Sequence, residues 1–134
     1  LSDPHQPPAA VAAVVAKLRL GEQRRHVFLC VGVGKCAPND QSEASWSFLK
    51  RRLRELGLQE AAGGVLRTRA SCLRICTEGP IALVYPDGVW YRNCHPANLE
   101  RILQEHILGG VAVADLVITR APLIGGEEVD HAPE

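Results

Sequence analysis

His26–Val31, HVFLCV, is a short and nearly continuous apolar run that opens into the loop 32–38, GVGKCAP. Such a run reads as a fully buried central strand, because a half-buried strand would alternate polar with apolar residues. Further on, Val65–Ala70, VLRTRA, does alternate, and it opens into a second loop, SCLRIC at 71–76. Between the two lies a helical pattern. Asp40 with Glu43 three residues on reads as a capping box, Trp46, Leu49, Leu53 and Leu56 share one face, and Gly57 is a natural stop. A β-α-β unit of this kind has a right-handed crossover, and its strands point the same way. Both loops then lie at one edge of the sheet, where open α/β folds place their ligands. Sequence order thus brings together Cys30 with Cys36 and Cys72 with Cys76.

The flanking chain fits around this unit. Pro8 suits the first position of a helix over Ala9–Leu20, ended by Gly21. Ile81–Tyr85 and Val89–Tyr91 read as a hairpin turning at Pro86-Asp87-Gly88. Pro96 opens a last helix with Leu99, Ile102, Leu103 and Ile107 on one face, stopped by Gly109. The expected architecture is α/β, a β-α-β and then a β-β-α around a four-stranded mixed sheet, with an extra N-terminal helix. Residues 1–25 form the extension, 26–119 the domain and 120–134 a flexible acidic tail.

The chain has 134 residues, 46% of them hydrophobic and 22% charged, which suits one globular domain. Net charge is zero and only 4% of residues are aromatic, so no general nucleic-acid surface is expected. The neutrality hides a bias: Lys17–Arg74 holds twelve basic and five acidic residues, Cys76–Glu134 three basic and nine acidic. Ala9–Ala16 is apolar, but Lys17 and Arg19 follow it, the reverse of a signal peptide's order. The run is also far short of the ~20 residues of a membrane span. A cytoplasmic protein without membrane or nucleic-acid partners is the expectation.

Five cysteines, an odd number, fit a disulfide framework poorly and suit metal or redox chemistry. Four converging thiolates hold either an iron–sulfur cluster or a structural zinc ion. The five-residue gap between Cys30 and Cys36 is loose for a zinc knuckle, whereas a two-iron cluster is wider and tolerates uneven spacing. Buried, inert thiols are the bland alternative, and pairing in glycine-bearing loops argues against it. Gly32-Val-Gly34-Lys35-Cys36-Ala37 imitates a dinucleotide fingerprint, but Pro38 stands where the helix should begin. No Cys-x-x-Cys pair is present for thioredoxin-type dithiol exchange.

The stretch from His26 to about Ile118 resembles the thioredoxin-like [2Fe-2S] ferredoxins, relatives of the flavoprotein-associated small subunit of complex I. The residues that carry the resemblance are His26-Val-Phe-Leu-Cys30, the Cys-x3-Cys of SCLRICTEGP, then IALVYPDGVWY and HPANLERILQEHILGG. It implies a thioredoxin-like fold, a homodimer, and one [2Fe-2S] cluster per chain on Cys30, Cys36, Cys72 and Cys76. The expected function is one-electron transfer between transient protein partners, by an electron carrier rather than an enzyme. All-thiolate ligation suggests a potential nearer the plant-type ferredoxins, about −400 mV, than the Rieske centres. Lys35, Arg69 and Arg74 lie near the ligands in sequence and are candidates to moderate their charge. A zinc-stabilised four-cysteine binding module and an electron-relay subunit of a larger flavin- or NAD-linked enzyme stand as alternatives. Cys94, in a different connection, is expected to be a small, partly buried thiol outside the ligand set.

Overall fold

The apolar run folds as β1 (Arg25–Cys30), with a neighbouring strand on each side. The structure is a computed structural model and describes residues 6–32 and 37–124. β1 pairs in parallel with β2 (Val65–Ala70), from Arg25 beside Val65 to Cys30 beside Ala70. Its other edge pairs antiparallel with β3 (Ala82–Tyr85), which returns through a hairpin as β4 (Val89–Tyr91). The turn between them holds Gly88 at a φ of 71°, a left-handed conformation that glycine adopts without strain.

The sheet has a fifth strand beyond the expected four. β5 (Val117–Arg120) pairs antiparallel with β4 and completes the order β2-β1-β3-β4-β5. Its residues are β-branched at Val117, Ile118 and Thr119, yet none is buried, so burial imprinted no alternation on the sequence. β5 also covers β4, so the Val89–Tyr91 strand leaves no free edge for pairing with a second copy. The expected tail begins at the last residue of this strand, and 125–134 lie outside the described residues.

Strand alternation sorts β1 onto two faces. Val27 and Leu29 join the main core beneath α2 (Asn39–Glu55) and α3 (Pro96–Arg101), while Cys30 belongs to a separate small cluster. α2 buries Trp46, Leu49 and Leu53, the expected stripe. Its start differs from expectation. Pro38 precedes the first turn and no side chain caps it; Asp40 lies within that turn, where its negative charge complements the helix dipole, and Glu43 pairs with Arg69. α3 continues as a π-helical segment, Ile102–Leu108, and Arg52 clamps it to α2 through a two-pronged bond to Glu100 at 2.8 and 2.9 Å.

The N-terminal helix, α1 (Ala9–Leu18), ends at Arg19 with a φ of 55° rather than at Gly21, and it buries none of its residues. Among the described residues no helix is long and apolar enough to cross a membrane.

A polar chain locks the hairpin turn to the last helix. His106, only 2% exposed, joins Asp87 through Nε2 and the Tyr91 hydroxyl through Nδ1, at 2.8 Å for the latter. The Tyr91 oxygen accepts the Val113 amide at 3.1 Å, and Arg25 Nε donates to Asp87 at 3.0 Å. Burial alone would raise the Asp87 pKa, but the bonds from His106 and Arg25 outweigh it and hold the carboxyl below its ordinary range. A carboxylate with a depressed pKa stabilises the fold above its unfolded pKa, and that contribution is lost as pH falls through the folded value. Asp87→Asn is therefore expected to cost about 1–3 kcal/mol near neutrality and to flatten the acid limb of the stability curve. Urea midpoints measured from neutral to about pH 3 check this, and parallel acid limbs for the two proteins contradict it.

Candidate metal centre

The parallel register places the two cysteine loops side by side. Cys30 ends β1 opposite Ala70, and its amide donates to the Ile81 carbonyl at 2.9 Å. One residue further, the Val31 amide donates to the Ala70 carbonyl at 2.8 Å. At Gly32 the loops meet: a Cβ there would stand 1.8 Å from the Ser71 carbonyl oxygen, so only glycine permits the approach. The chain that leads to Cys36 thus departs against the residue that precedes Cys72. Cys36 and Lys35 themselves lie outside the described residues.

The thiols are not equivalent. Cys30 is 3% exposed, whereas Cys72 and Cys76 are exposed. The 71–76 loop turns at Arg74, whose φ is 73°, and this left-handed residue aims its amide at Cys72 Sγ, 3.2 Å away. Beyond the loop, Glu78 and Pro80 give their carbonyls to the amides of Asn93 and Cys94, at 2.7 and 2.9 Å. These bonds tie the loop to the segment that follows β4.

Around Cys30 the lining is apolar: Ile81 is fully buried, and Leu73, Ile75 and Trp90 pack against this pair. Of the three cations expected near the ligands, Arg69 and Arg74 lie among the described residues. Arg69 is held by Glu43, with contacts of 2.6 and 3.4 Å, and its guanidinium lies 5.9 Å from the Trp46 ring centre on the α2 side of the sheet. It is committed to the helix rather than to the thiols. Arg74 is exposed and forms no ion pair among the described residues.

Cys94 is fully rather than partly buried, and it packs in the main core, apart from the small cluster around Cys30. Burial pushes its thiol pKa far upward, and Sγ donates to the Arg92 carbonyl at 3.6 Å. Neither His106 nor His26 is turned toward these thiols: His106 bonds Asp87 and Tyr91, and His26 bonds Thr68 at 2.7 Å. Among the described residues no three His, Cys, Asp or Glu side chains form a complete metal-binding group. The cysteines at this edge are sulfur donors, with a backbone amide turned on Cys72 and apolar cover beside Cys30. That chemistry suits thiolate-bound iron or zinc and excludes the oxygen-lined sites of magnesium or calcium.

Comparison with known proteins agrees. The chain is 32% identical over 103 residues to a 2Fe-2S ferredoxin from Aquifex aeolicus, covering 72% of this chain and 90% of that protein. It is 33% identical over 98 residues to a 2Fe-2S ferredoxin from Clostridium pasteurianum, covering 71% and 96%. The fold superposes on the solved thioredoxin-like [2Fe-2S] ferredoxin from Aquifex aeolicus with a TM-score of 0.62 and 27% identity, over 77% of this chain and 97% of that one. No family model matches the sequence.

Differences in exposure translate into reactivity, because an alkylating agent needs both access and thiolate. Iodoacetamide is expected to label Cys72 and Cys76 in the native metal-free protein at least about tenfold faster than Cys94. Peptide mapping by mass reads the rates; Cys94 labelled as fast as the loop pair contradicts its burial.

Proposed function

The chain belongs to the thioredoxin-like [2Fe-2S] ferredoxin family, and from that membership we propose that it holds one two-iron cluster on the thiolates of Cys30, Cys36, Cys72 and Cys76. As in other ferredoxins, the work is electron transfer rather than catalysis. Bound there, the cluster supplies one reversible electron and no group transfer. The observation that carries the ligand assignment is the contact of Gly32 with Ser71, which sets the two cysteine loops against each other.

Each neighbouring group has a part. The Arg74 amide donates to Cys72 Sγ and holds that sulfur in place at the loop turn. Leu73, Ile75 and Trp90 exclude water from the Cys30 side. The exposed Cys72–Cys76 loop, with the Arg74 guanidinium beside it, gives a redox partner a short approach to the sulfurs. Such partners dock through small, transient interfaces, so an exposed arginine and an open loop suffice. A reducing compartment keeps these thiols available, which supports a cytoplasmic location.

A homodimer is part of the same proposal. On the sheet face away from α2, His26 stacks on Phe28 at 4.1 Å, and Tyr85 meets Phe28 edge-on at 6.1 Å. All three rings remain partly exposed, and a second copy is the occupant we assign to this aromatic row. Sedimentation is expected to show twice the 14.5 kDa chain mass at micromolar concentration, and Phe28→Asp to shift the species to the monomer. A monomer throughout contradicts the dimer.

Iron, sulfide and zinc analysis after anaerobic purification tests the cluster. Two irons and two labile sulfides per chain are expected, with colour that bleaches on dithionite. Serine at position 30, 36, 72 or 76 is expected to lose or alter the cluster, while Cys94→Ser keeps its full iron content. One zinc in a colourless protein, or an unchanged spectrum in any of the four variants, contradicts the assignment.

A further inference from the structure

The small cluster around Cys30 has an outer wall. Along β4, Val89 and Tyr91 are buried in the main core, so Trp90 projects from the opposite face of the sheet. It stands across from Leu83 on β3 and packs against the Cys30–Ile81 pair. Ile81 in turn receives the Cys30 amide, so strand pairing and side-chain packing place the indole over the same spot. Thr119 is its neighbour on β5, a residue too small to cover the ring, and Trp90 stays partly exposed. The indole therefore separates solvent from the shielded thiol.

We infer that Trp90, which ligates nothing, fixes the reduction potential of this site by keeping water from its Cys30 side; this rests on the ferredoxin reading above. Reduction adds a negative charge to an already negative group of sulfurs and irons. A low-dielectric wall penalises the more highly charged state, whereas water stabilises it. Cover over the Cys30 side lowers the potential, and opening it raises the potential. The Cys72–Cys76 side is already exposed, so cover on the Cys30 side is the cover that substitution can remove. Trp90 acts on the site without touching its electrons, as a positioning residue for the solvent boundary.

The test uses the full chain as wild type, Trp90→Ala, Trp90→Phe, Ile75→Ala and Trp46→Phe. Each is assayed for iron and sulfide, and then titrated reductively with EPR detection. Trp46 lies in the main core, so its variant controls for loss of a buried aromatic elsewhere. Trp90→Ala is expected to load two irons and to have a reduced-to-oxidised ratio about tenfold higher at the wild-type midpoint, a rise of about 59 mV for a one-electron couple. Ile75→Ala shifts the same way, and Trp90→Phe and Trp46→Phe stay near wild type. In the metal-free Trp46→Phe protein, Trp90 is the sole tryptophan, and its emission is expected to be blue-shifted and only partly quenched by acrylamide. Iron-loaded Trp90→Ala with an unchanged potential overturns the inference, as does an equal shift in Trp46→Phe. If Trp90→Ala does not load, Ile75→Ala decides: an unchanged potential there overturns the inference as well. Wild type without iron overturns the ferredoxin reading instead.

Discussion

Parallel pairing of β1 with β2 is the constraint from which the site follows. Two strands that run the same way must end at the same edge, so the loops leaving Cys30 and Ala70 cannot diverge. Gly32 then lets one loop rest on the Ser71 carbonyl of the other. Cys30, Cys72 and Cys76 all lie within five residues of that contact in sequence, while Cys94 sits apart in the main core. The antiparallel side of the sheet, from β3 to β5, supplies the lining and the lock rather than the ligands.

The same alternation that builds the core also gives the site its asymmetry. Residues at odd positions of β1, Val27 and Leu29, face the helices, and the even positions reach Cys30 on the other face. There a second, smaller apolar cluster forms, built from the sheet and from the 71–76 loop. Of the described thiols at this edge, Cys30 is sheltered and Cys72 and Cys76 are open to solvent. On the proposed reading, the sheltered side keeps water from a reduced centre and the open side gives a partner its approach.

Much of this was legible in the residues. The continuous HVFLCV run, the alternating VLRTRA run and the helix between them point to a parallel pair, and β1 and β2 form it. Less legible was what depends on tertiary contact. β5 has no buried position, so no period-two signal marked it; the β-branched run Val117–Thr119 was its only trace. The Asp40–Glu43 capping pattern was misleading because the helix already begins at Asn39, after Pro38, and Glu43 pairs instead with Arg69 of β2. That same pair removes Arg69 from the rim around the thiols. The lock of Asp87, His106 and Tyr91 joins three elements separated in sequence, and nothing in local pattern announces it. Cys94 was expected to be partly buried, and its full depth follows from a main core whose packing no local run of sequence reveals.

Iron-edge X-ray absorption of the anaerobically loaded protein tests the central claim most directly, since it reports what surrounds each iron. A convergence of four thiolates on a two-iron cluster requires a shell of sulfur alone around every iron and a single iron neighbour. Nitrogen or oxygen in that shell, or an iron with no iron beside it, would contradict the convergence of Cys30, Cys36, Cys72 and Cys76 at this edge of the sheet.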